Sequence, residues 1–111
     1  MDIQINFSKP LLERNQIPEL QTEDLNRFYA SATEVDRLNL FFVLLNTLQS
    51  MEHDPEPVLE ARLCFLMAYY LFVPLTPPGS CTLALHYMRR AMDLHPLPEY
   101  QEWLCLMEKG N

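Results

Sequence analysis

The sequence predicts an all-α protein, a small bundle of about five helices in a single domain. Three observations carry this. Only two glycines stand beside nine prolines, so the glycine turns that join short strands and cradle phosphates are scarce, and helices punctuated by proline are favoured instead. Apolar residues recur at three- and four-residue spacing over long stretches. With 49% hydrophobic and 11% aromatic residues, a chain of 111 residues can bury a core without metal or disulfide staples.

Residues 1–21 form an N-terminal arm, extended or irregular, because Pro10 and Pro18 interrupt it and no helical period is sustained. Ile3, Ile5 and Phe7 alternate as a short strand would, but such a strand has no evident mate. The helical domain then spans residues 22–111. Its first helix starts at Thr22, whose oxygen can cap free amides while Glu23 and Asp24 suit the positive end of the dipole; Leu25, Phe28 and Tyr29 give it one apolar face. Thr33 and Asp36 repeat the capping pattern before a second helix, where Val35, Leu38, Phe41, Phe42, Leu45 and Leu48 form a stripe. Residues 40–45 are apolar all round, so this helix is central or faces a partner.

Pro55 and Pro57 break the chain, and a third helix follows over residues 56–73. Residues 74–79 end it, and Ser80 can cap a fourth helix that closes at His95 and Pro96. Pro98 sits where a first-turn proline is tolerated, and a fifth helix runs to Lys109 with Gly110 at its C-cap.

The net charge of −7 comes from 15 acids against 8 bases, of which only Lys9 and Lys109 are lysines. No basic stripe is present for a phosphate backbone, so nucleic-acid binding is not expected. The acids are spread out and read as a solvated surface. Cys64, Cys81 and Cys105 are odd in number and unpaired in spacing, which suits reduced thiols, and neither they nor His53, His86 and His95 stand at zinc-ligand spacing. The N-terminal residues lack a basic stretch followed by an apolar run. The longest apolar run, residues 63–73, falls short of the roughly 20 residues of a membrane span, so a soluble, cytoplasmic protein is expected.

In the fourth helix Ala84, Leu85, Tyr87, Ala91, Leu94 and Pro96 stand at the spacing of the second helix of a tetratricopeptide repeat, and this hairpin resembles that family. Ala84 and Ala91 allow a neighbouring helix to approach closely, and Pro96 ends the unit. The third helix would be the repeat's first, with Ala68 at its close-contact position, although the loop over residues 74–80 makes the unit about four residues too long for the family's period. Trp103 and Leu106 resemble the start of a further first helix. The resemblance covers residues 60–106 and leaves open whether residues 22–51 form a diverged pair or the whole is a plain helical bundle.

Such repeats present the inner face of their first helices as a groove for peptides or helices. Carried over by position, the resemblance implies a partner-binding face of Arg62, Phe65, Tyr69 and Phe72, large and mostly apolar with one arginine able to fix a carboxylate or a backbone carbonyl. The arm or the second helix can equally fill that groove. On the partner-binding reading, Phe65→Asp or Tyr69→Asp abolishes binding and leaves helicity intact.

Catalysis has thin support. His86 reads as a surface residue, His95 as a helix-end residue, and His53 with Asp54 as part of a polar turn; Glu56 and Glu60 share a helix face that Arg62 and solvent explain. No nucleophile elbow, phosphate loop, metalloprotease or dinucleotide motif occurs. The expectation is a non-enzymatic adaptor or chaperone, without cofactor or metal, that shields an apolar helical segment of a partner protein; in size, acidity and helical content it is similar to bacterial type III secretion chaperones. Two alternatives stay open. One is a small acidic inhibitor or immunity protein that blocks an enzyme or nucleic-acid-binding protein through acids such as Glu99 and Glu102, and the other is a subunit of a helical homo-oligomer.

Overall fold

The computed structural model describes residues 2–110, so the ends of the arm and of the helical domain, Met1 and Asn111, lie outside the described residues. The architecture is all-helical: α1 (Thr22–Ser31), α2 (Glu34–Ser50), α3 (Pro57–Tyr70), α4 (Ser80–Leu94) and α5 (Pro98–Lys109), with no strand among the described residues. Ile3, Ile5 and Phe7 therefore belong to irregular chain, which has no edge to pair with. A single 3-10 turn, Arg14–Gln16, interrupts the arm.

Several helix ends form where local chemistry predicts. Thr33 caps α2 by accepting from the Asp36 amide at 3.2 Å, Pro98 opens α5, and Gly110 takes a left-handed φ of 80° at its end. Two caps are displaced by one residue. Gln21, not Thr22, is the N-cap of α1, because its backbone amide reaches the Asp24 carboxylate at 2.8 Å in a reciprocal capping box. Gly79, at φ 78°, precedes α4, and Ser80 lies inside it. The third helix does run on towards residue 73, but from Leu71 to Leu75 it widens to a π turn that absorbs Pro74, with the Thr76 amide reaching back to the Leu71 carbonyl at 3.1 Å.

The core is built around α3. Ala61 and residues 63–70 are buried on every side, including Phe65 and Tyr70 at 0% exposure. Glu60 faces Arg90 and Cys64 lies near Tyr87, so residue numbers fall along α4 as they rise along α3, and the two helices are antiparallel. Ala68, Ala84 and Ala91 are all at 0% exposure, and α3 and α4 make the most extensive helix pair of the fold. The stretch Pro57–Leu75 is long and apolar enough to cross a membrane by length and composition; an 18-residue window within it has a mean hydropathy of 1.6 and is 61% buried within the fold.

The arm lies across this body. Ile17 and Leu20 are fully buried, the Leu12 amide donates to Thr47 Oγ1 at 3.0 Å, and Arg62 Nη2 donates to the Leu20 carbonyl at 2.8 Å. Tyr70 donates its hydroxyl to the Arg37 carbonyl, joining the end of α3 to the start of α2.

Among the described residues, one non-glycine backbone position has a positive φ and carries strain. Thr76, a β-branched residue, sits at φ 44° in the left-handed region. Thr76→Asn, which keeps a polar side chain better suited to that region, is expected to stabilise the protein by about 0.5–1 kcal/mol, read as a higher urea midpoint with unchanged slope.

Candidate functional site

The surface that stands out is the outer face of α2. Turn by turn, Leu40, Val43, Leu44, Thr47 and Leu48 point into the core. On the opposite side Val35, Leu38 and Phe42 follow at helical spacing and are 66%, 51% and 58% exposed. Phe41 and Leu45 flank them, each half-buried, and the Phe41 and Phe42 rings meet edge to face at 5.7 Å. The helix is thus apolar on two faces but buried on one.

Its surroundings hold that face in place. Arg37 is fixed by a 2.8 Å hydrogen bond to the Tyr29 carbonyl and stacks over the Tyr29 ring at 4.0 Å, which anchors the first turn to α1. Beside Phe42 the arm returns: Ile5, Phe7 and Pro10 form, with Asn39, Phe42 and Val43, a shallow groove of about 200 Å³. Phe7, at 74% exposed, extends the apolar surface across the groove. Residues 38–51 contain no charged side chain, so on a chain of net charge −7 this is an uncharged strip.

The structure corrects the partner-binding face that the tetratricopeptide resemblance implied. Arg62, Phe65, Tyr69 and Phe72 do lie along α3 and its π turn, but Phe65 is fully buried and Tyr69 is 5% exposed. Phe65 stacks on Tyr100 at 5.1 Å, and Trp103 meets Tyr69 edge-on at 5.2 Å, so α5 covers this face. Asn26 of α1 donates to the Tyr69 hydroxyl at 2.7 Å and closes the other side. Arg62 is spent partly on the arm, and Phe72 is half-buried against the core. The groove is filled by the chain's own α5 and α1, because Tyr100 and Trp103 supply the aromatic area that an apolar ridge requires. The sequence offered Trp103 as the start of a further helix; it did not reveal that this helix folds back onto α3.

The remaining chemistry-bearing residues are dispersed. His53 is exposed in the turn before α3, His86 is exposed on α4 beside the Tyr87 ring, and His95 ends α4. Glu56 pairs with Arg14 at 3.2 Å and Glu60 with Arg90 at 3.9 Å, so neither carboxylate pairs with Arg62 as the sequence reading had it. Among the described residues, no three His, Cys, Asp or Glu side chains converge to hold a metal ion. Burial pushes the Cys64 thiol up to about 12, with Glu60 adding to the effect and Arg90 opposing it. Iodoacetamide at pH 8 should therefore alkylate exposed Cys105 in the native protein and reach Cys64 only after denaturant is added. Alkylation of Cys64 in the native state, read by mass spectrometry, would show instead that α3 opens freely.

No family model, no curated protein and no solved structure matches the chain.

Proposed function

We propose that the protein is a non-enzymatic adaptor or chaperone that shields an apolar helical segment of a partner protein, and that it does so along the outer face of α2. The observation that carries this reading is the exposed stripe Val35, Leu38 and Phe42, continued by Phe7 across the arm groove. A contiguous apolar patch of this kind is costly to leave in water and marks an interaction surface. A helix of seventeen residues rises about 25 Å, room for the apolar face of a partner helix laid along it.

From Leu38 onward the strip is uncharged, with Glu34 and Asp36 only at its Val35 end, which removes the main obstacle to contact with an apolar partner, since desolvating carboxylates in an interface centre would be unfavourable. Small residues at the α3 and α4 contact suit tetratricopeptide-type packing, and with it a role like that of the small acidic secretion chaperones of the bacterial cytoplasm. The same uncharged strip also suits a second copy of the chain, because two bodies of charge −7 repel each other elsewhere.

A photo-activatable amino acid placed at position 42, and separately at the exposed position Gln101 on α5 as a control, tests the reading in cells. The expected result is an adduct with one foreign protein from position 42 and none from position 101. An adduct of twice 13.1 kDa would assign the face to a homodimer, and no adduct from position 42 would remove α2 as the interface.

A further inference from the structure

A second site lies away from the α2 face, where the start of α3, the end of α4 and the start of α5 meet the arm. Pro18, Val58, Leu59 and Leu97 wall a cavity of about 240 Å³. Arg62 also lines it, and among the described residues no Asp or Glu comes within ion-pair distance of that guanidinium. Nη2 donates to the Leu20 carbonyl at 2.8 Å and to Gln21 Oε1 at 3.3 Å, the guanidinium lies over the Phe65 ring at 5.3 Å, and the Tyr100 hydroxyl stands against it, so the cation is surrounded by neutral groups alone. Arginine beside apolar walls without a counter-ion is half of a recognition pair.

Two further groups on the same cavity lack partners of their own. His95 lines the cavity, and its Nδ1 is out of contact with solvent and has no hydrogen-bond partner. Leu97, the N-cap of α5, offers no side-chain cap and Pro98 has no N–H, so the positive end of the helix dipole lies beside the cavity that Leu97 and Tyr100 line. Tyr100 completes the wall, and its hydroxyl engages the Arg62 guanidinium, so a ligand there would meet both groups together.

We infer that this cavity binds an apolar group carrying a terminal carboxylate: the carboxylate meets the Arg62 guanidinium beside the Tyr100 hydroxyl, and the apolar body lies between Val58, Leu59 and Leu97. The walls select against a phosphate, which needs several donors and water around it, whereas a carboxylate uses one planar guanidinium edge. The volume suits one residue-sized apolar group and not a drug-sized ligand. The ligand is either the C-terminal residue of a peptide or a free small acid. The inference rests on the Arg62 cavity alone and stands whether or not α2 binds a partner.

The test is a titration of the full chain, observed by backbone amide NMR, with four probes: N-acetyl-leucine, its amide, a hexapeptide ending in leucine with a free carboxylate, and the same peptide amidated. The expected result is shifts at Leu97, Tyr100 and His95 with at least one acid, at least tenfold weaker binding of the matching amide, and a loss of at least tenfold in Val58→Glu. Val58 is 57% exposed, so that variant keeps the fold while placing a like charge in the wall. Binding by the peptide acid alone would identify a chain terminus as the ligand, and binding by both acids a free small acid as well. Equal binding of acid and amide, or no shift at these residues with any probe, would overturn the proposal.

Discussion

Phe65→Asp should unfold the protein. The ring is fully buried and stacked on Tyr100, and truncation of such a phenylalanine to alanine costs about 3–5 kcal/mol, a large share of the 5–15 kcal/mol that holds a typical domain together. A carboxylate in the same place adds a charge with no partner. Circular dichroism should therefore show Phe65→Ala melting cooperatively at a much lower temperature and Phe65→Asp without a cooperative transition. If Phe65→Asp kept native helicity, α5 would not cover this face, and the groove implied by the tetratricopeptide resemblance would be open after all.

The opposite behaviour is expected on α2. Leu38→Asp and Phe42→Asp change side chains that are more than half exposed, so stability should move by no more than about 0.5 kcal/mol. Binding to the crosslinked partner should fall steeply. An apolar anchor at the centre of an interface is worth about 2 kcal/mol or more, near thirtyfold in affinity, and the double variant should lose about 100-fold or more. Isothermal titration on the purified pair measures this directly, with melting curves run in parallel. A partner that binds both variants as tightly as the parent chain would place the interface elsewhere, with the acids Glu99 and Glu102 the next surface to reverse.

Much of the fold was legible because it is written in local chemistry. Thr33, Pro98 and Gly110 act within one turn of the chain, and the prolines at 55 and 57 break it wherever they stand. The displaced caps show the reach of that logic: Gln21 displaced Thr22 through a reciprocal bond with Asp24, and both residues offer plausible oxygen acceptors. What local pattern did not carry was the choice of neighbours. Phe65, Tyr69, Tyr100 and Trp103 are all large apolar residues at helical spacing, and nothing within their own helices says that the last two lie over the first two.

The same limit shaped the candidate site. The all-round apolarity of residues 40–45 was visible and already posed the alternatives of central helix or partner face. Which side faced inwards depended on α3, which packs on Leu40, Leu44 and Leu48 and leaves Leu38 and Phe42 outside. The sequence marks Arg62 as able to hold a carboxylate or a backbone carbonyl; the Leu20 carbonyl uses part of it, and the cavity beside it forms only when α3, α4 and α5 come together.

Two of the arm's tethers bear on the order of events in folding. Leu12 is held by Thr47, 35 residues ahead of it, and Leu20 by Arg62, 42 residues ahead. During synthesis the arm is therefore made well before either of its anchors. Closing such loops costs entropy that local helix formation does not, so docking of the arm after α2 and α3 have packed is the expected order. Until then Ile17 and Leu20 remain in water, and the nascent chain exposes two apolar side chains that the finished protein hides completely.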